Sequence, residues 1–229
     1  MPDWWSYGLS DFLLFSPRVY YRLFELLNEA LWPAQLLTIG AGIALLYRMA
    51  RPGPGGVRLT AVVLGALWIW IAGAFFWDRY ATINWSAAYM APGFVLQGML
   101  LIGAGVMAGQ AANERPRGAG GIAALVLFGA AVLLYPWLAP LLGRSWQAAE
   151  IFGIAPDPTA IATLAFLALL SGRRRWLLMA LPLLWCAISA ATLWTMGSAE
   201  FLVPLGGALA AVAIAVGRSG AGSDESGMR

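Results

Sequence analysis

The stretch LWPAQLLTIGAGIALLYRMAR, Leu31 to Arg51, decides the fold. Nearly every residue in it is apolar. Trp32 stands at one end, and Tyr47, Arg48 and Arg51 stand at the other. At about 1.5 Å of rise per residue, a helix of this length covers the roughly 30 Å hydrocarbon layer of a bilayer. Tryptophan and tyrosine suit the headgroup level, and arginine suits the water beyond it. The plan recurs along the chain. It predicts an all-α, polytopic transmembrane helix bundle of about seven spans. The spans are expected at 31–50, 59–77, 92–112, 120–142, 158–171, 176–196 and 200–217. Together they form one transmembrane domain over 1–217, with 218–229 as a disordered cytoplasmic tail.

Composition agrees. The 229 residues are 61% hydrophobic and 11% charged, where a soluble domain carries about 25% charge. All 14 basic residues are arginine, histidine is absent, and Cys186 is the single cysteine. Without lysine there is no retinal Schiff base. Without histidine there is no His-held haem or zinc and no Ser-His or Cys-His catalysis. No cofactor, metal site or catalytic residue is therefore expected. The net charge of +3 comes from arginines dispersed along membrane flanks, which argues against nucleic acid as a partner. The partner expected first is the lipid bilayer, with a membrane-protein partner or a second copy of the chain beyond it.

Outward from the opening stretch, MPDWWSYGLSDFLLF lacks the basic start of a secretory signal. Residues 4–15 read as an interfacial turn or helix within the mature chain. Ser16 and Pro17 suit a helix start. Arg18, Arg22, Glu25 and Glu29 then share one stripe, with Arg22 in reach of Glu25. This predicts an amphipathic segment lying in the interface, broken from the first span at Pro33. The loop RSWQAAEIFGIAPD is rich in Trp, Phe and Ile and is expected on the membrane surface. Connectors at 48–58, 113–118 and 172–175 and the tail hold ten arginines, against four on the other side. The richer side should be cytoplasmic, so the N-terminus is out, the C-terminus is in, and the membrane is a cell's inner one.

Polar residues then sort by depth. Gln35 and Gln97 fall about one turn inside the outer ends of the first and third spans. Asn84 follows the second span. A buried amide needs a partner or water, so these three side chains bond neighbouring helices or line an outward-facing pocket. Glu29, Asp78 and Glu200 would stand at its rim. Such a pocket would bind or pass a small solute, ion or lipid. The alternative is an accessory or assembly subunit with no pocket. A third reading is a lipid-acting enzyme using Asp78, Asp157 or Glu200; no recognisable spacing supports it.

Two stretches, WWSYGLSDFLLFSPRVYYRLFELLNEALWPAQ and WDRYATINWSAAYMAPGFVLQ, resemble a family of small multi-pass prokaryotic membrane proteins known as a domain of unknown function. The resemblance implies a polytopic membrane protein of this size and brings no activity or site residue.

Overall fold

A computed structural model describes residues 15–51, 53–107 and 118–226, with side chains to 219. The expected segment at 4–15 and loop at 113–118 lie almost wholly outside these. The described residues are mostly helical, joined by short turns, and include no strands. Helix α1, Pro17–Leu31, starts on Ser16, whose hydroxyl accepts from the Val19 amide. It buries Tyr20, Leu23, Phe24 and Leu27 and turns Arg18, Arg22 and Glu29 outward. Arg22 meets Glu25 at 2.5 Å. A 93° bend at Trp32 and Pro33 separates α1 from α2, Ala34–Ala50. That is the break Pro33 led one to expect, since proline supplies no helical N–H.

Among the described residues, five helical stretches are long and apolar enough to cross a membrane: Gly56–Thr82, Ala87–Met107, Gly118–Leu141, Arg174–Thr195 and Ala199–Ser219. The first of these is α3, Gly56–Ile71, continued by a wider π turn at Ala72–Trp77. There the Asp78 amide reaches back five residues to Gly73. The widened turn lets the consecutive Phe75 and Phe76 both face inward, fully buried. Helix α4, Ala87–Met107, pairs closely with α3. A Cβ on Gly65 would stand 2.6 Å from the Gly98 carbonyl oxygen, and one on Gly98 2.5 Å from that of Gly65. Backbones that close require glycine. Gly105 packs in the same seam, against Ala61.

Helix α5, Gly118–Gly129, continues through a π turn at Ala130–Leu134, a 3-10 turn at Tyr135–Trp137 and the short α6, Leu138–Leu141. Next come α7, Pro156–Leu169, then α8, Arg174–Thr195, and α9, Leu202–Ser226. Helix α9 thus runs past residue 217, the expected end of the last span.

Helix α7 is different in kind. Its 14 residues reach only about 21 Å, short of a bilayer. Every one is buried, and burial extends back to Ala148. The 148–155 connector therefore lies inside the protein rather than on the membrane surface as expected. Its Trp-, Phe- and Ile-rich composition does not distinguish lipid from protein as the apolar neighbour. By length and composition the described residues thus hold five helices of spanning length, or six if the bent pair of α1 and α2 counts as one, with the shorter apolar α7 packed among α3, α5, α8 and α9. Non-helical backbone is tolerated at this depth because protein surrounds it. The Ala155 amide bonds the Ile151 carbonyl, and the Gly153 amide bonds Thr159 Oγ1. Gly153 has a positive φ of 78°, and a Cβ there would sit 3.0 Å from Thr38.

Candidate functional site

The polar centre of the molecule is the start of α7. The Asp157 carboxylate is fully buried and accepts three hydrogen bonds. Trp185 Nε1 donates at 2.7 Å, Ser189 Oγ at 2.5 Å and Tyr135 OH at 3.2 Å. Ser189 lies six residues before the end of α8, so this centre is about 9 Å below that end. Three donors satisfy most of a carboxyl group's acceptor capacity, so its oxygens are not left unpaired in an apolar bundle. Below it, Thr159 and Thr163 donate to carbonyls one turn back, and Trp68 Nε1 donates to Thr163 at 2.9 Å.

A second carboxyl stands beside it. Glu150 is only 5% exposed, and its Oε2 has no hydrogen-bond partner. Burial, and after it the charge of Asp157, push the Glu150 carboxyl well above its ordinary range, while Arg144 pulls the other way. The ring of Tyr20 shares the electrostatic surroundings of both acids.

Above this pair, the face carrying α1 opens into a cavity of about 610 Å³. Arg18, Arg22, Glu25, Tyr21, Arg144, Ser145 and Ala148 are among its walls. Arg144 forms an ion pair with Glu200 and lies over the Tyr21 ring, 3.8 Å from its centre. The Tyr21 hydroxyl donates to Glu200 at 2.8 Å, and burial raises its pKa. Ser145 Oγ donates to Glu25 at 3.1 Å. Hydrogen bonds from Arg22 and Ser145 hold the Glu25 carboxyl below its usual range. Two apolar grooves flank the centre. One, of about 320 Å³, runs along Ala131, Leu134, Ile161 and Gly207 to Tyr135. The other, of about 220 Å³, ends against Trp68 and Trp185. Among the described residues no three acidic or thiol side chains converge as metal ligands.

The residues singled out from sequence are dispersed. Gln35 Nε2 donates to the Asn28 carbonyl at 2.7 Å. Asn28 in turn donates to the carbonyls of Gln147 and Ala149. Gln35 therefore anchors the connector next to Glu150. Gln97, fully buried, donates to the Leu178 carbonyl at 2.9 Å. That carbonyl lies four residues before Pro182, inside α8. Proline has no N–H to offer it, and Gln97 supplies the missing donor. Asn84 accepts from the amide and hydroxyl of Ser86, closing the turn before α4. Glu29 and Asp78 are exposed, while Glu200 is buried and bonded to Arg144 and Tyr21, two residues of the α1-side cavity's wall. Sequence reasoning passed over Glu150. Its one signal is an acid in an apolar connector seven residues before Asp157.

A family model described as a family of unknown function, DUF6064, matches residues 17–222. No curated protein and no solved structure matches the chain. The chain belongs to that family.

Proposed function

We propose, with membership of DUF6064 as the premise, that this integral membrane protein binds a small anionic solute in the cavity between α1 and the 143–149 connector. One observation supports the reading above the others. In an otherwise apolar bundle, three guanidiniums and one carboxylate line a cavity of about 610 Å³, and Ala148 in its wall stands two residues from Glu150. Glu25 is paired with Arg22 and Arg144 with Glu200, so Arg18 is the lining arginine outside these two ion pairs and tips the field at the mouth toward negative charge. Beneath, burial and the neighbouring Asp157 favour the neutral form of Glu150, which limits the negative charge under the cavity.

Thermal-shift measurements on purified full-length protein test this. Small carboxylates, phosphate and sulfate are compared with cations and zwitterions of similar size. At least one anion should raise the midpoint for the wild type, and the rise should vanish in the Arg18→Gln, Arg22→Gln double variant. Both side chains are exposed, so folding should survive the change. Indifference to every anion, or an equal rise in the double variant, sinks the reading.

A further inference from the structure

Two buried polar atoms by the α1-side cavity lack partners among the described residues, Glu150 Oε2 and Arg144 Nη1. Glu150 is only 5% exposed and stands two residues from Ala148 in the cavity wall. Arg144 is itself part of that wall, and it bonds Glu200 through Nη2, leaving Nη1 over. The backbone that carries Glu150 is tied to its neighbours. Asn28 of α1 donates to the carbonyls of Gln147 and Ala149, and Gln35 of α2 holds Asn28 in turn. A buried polar atom without a partner is costly. Two of them beside one cavity mark a place where a polar guest completes the bonding.

The charged and titratable groups whose fields meet at Glu150 are Asp157 of α7, Arg144 of the connector, Tyr20 and Tyr21 of α1, and Tyr135 of the turn after α5. The tyrosines are neutral below about pH 10. Burial and Asp157 favour a proton on Glu150, and Arg144 opposes it. A negative charge in the cavity offsets Arg144 and adds to the repulsion that a Glu150 carboxylate meets. With its proton, Glu150 is a donor, as Arg144 is, and an oxyanion is the kind of guest that accepts from such groups. We infer, on the premise that this cavity takes a small anion, that the anion enters together with one proton, carried by Glu150. The coupling is reciprocal: the anion tightens the proton, and the proton tightens the anion.

The test is isothermal titration calorimetry of sulfate, acetate and phosphate into full-length protein, in pairs of buffers that differ in ionisation enthalpy. Each anion is titrated at steps from about pH 5 to about pH 9. The buffer dependence of the heat counts the protons taken up. Sulfate keeps its charge throughout, and the known titration of acetate and phosphate is subtracted. Wild type should take up as much as about one proton per anion at the pH of greatest uptake. Its affinity should weaken as pH rises, by up to about tenfold per pH unit. Glu150→Gln, a neutral side chain of similar shape, should bind the anion without uptake and with affinity independent of pH. Asp78→Asn, an exposed carboxylate outside the cavity wall, should behave as wild type. The wild-type proton count stands by itself should Glu150→Gln fold poorly. Anion binding without uptake at any pH, or uptake that survives Glu150→Gln, overturns the inference and leaves the anion site standing. Binding of none of the three anions sinks the anion reading, and the coupling with it.

Discussion

Pro182 leaves the Leu178 carbonyl without its helical partner, and Gln97 from another helix provides one. Replacing Gln97 by Leu strands that carbonyl in an apolar interior, at a cost of about 1–2 kcal/mol. Pro182→Ala restores the amide, so the double variant should recover most of the loss; denaturant titration in detergent reads the cycle. The two buried or paired glutamates should respond to pH with opposite signs. Glu150 has its folded pKa raised, so the native state holds a proton that the unfolded chain releases above about pH 4.3. Its contribution therefore turns unfavourable as pH rises through that window. Wild type should lose stability relative to Glu150→Gln as pH rises above the unfolded carboxyl's value of about 4.3. Glu25 has its folded pKa lowered by Arg22, and its contribution is lost as pH falls through the depressed value. Glu25→Gln should lack that acid-side loss in the same unfolding curves. Glu150 was not readable from sequence, and for Gln97 a bond to a neighbouring helix was readable but its partner, the Leu178 carbonyl, was not. Periodicity shows that a residue lies in an apolar run, but not which helix stands opposite it.

Among elements, the α3–α4 pair depends on the absence of side chains. A methyl group on Gly65 or Gly98 meets backbone oxygen at 2.6 Å or 2.5 Å, and backbone cannot rotate away. Gly65→Ala and Gly98→Ala should each cost about 1–3 kcal/mol. Gly103→Ala, with nothing within 4 Å, should leave stability unchanged or slightly raised, since alanine favours helix by up to about 1 kcal/mol. Thermal unfolding of the three variants separates the cases. Helix identity itself was readable at long range, because twenty apolar residues in a row admit few other structures. The 93° break before α2 was readable from Pro33. The special status of α7 was not, because a helix facing lipid and a helix facing protein show the same apolar run. In retrospect the signal was polar. Asp157, Thr159 and Thr163 lie in one short run, each with a partner to satisfy, bounded by Gly153, Pro156 and Pro158.

For the molecule as a whole, charge placement gives the orientation test. Reporter fusions placed after Arg58, Arg117 and Arg175 should all read as internal and one after Gly143 as external, by the excess of arginine on the first side. A fusion reading opposite to its expected side would put the α1-side cavity on the wrong face. The burial of α7 bears on how the chain is made. A ribosome delivers residues in order, so α7 emerges while the partners that bury its outer faces, α8 and α9, are still unsynthesised. At that moment Asp157 has neither Trp185 nor Ser189 to bond, and the Leu169 carbonyl lacks its Arg218 donor. A nascent chain stopped at Ser171 holds a half-wrapped rod whose Asp157 lacks two of its three donors, a polar group that lipid cannot satisfy. Biogenesis must therefore shelter this segment until the last quarter of the protein arrives to enclose it.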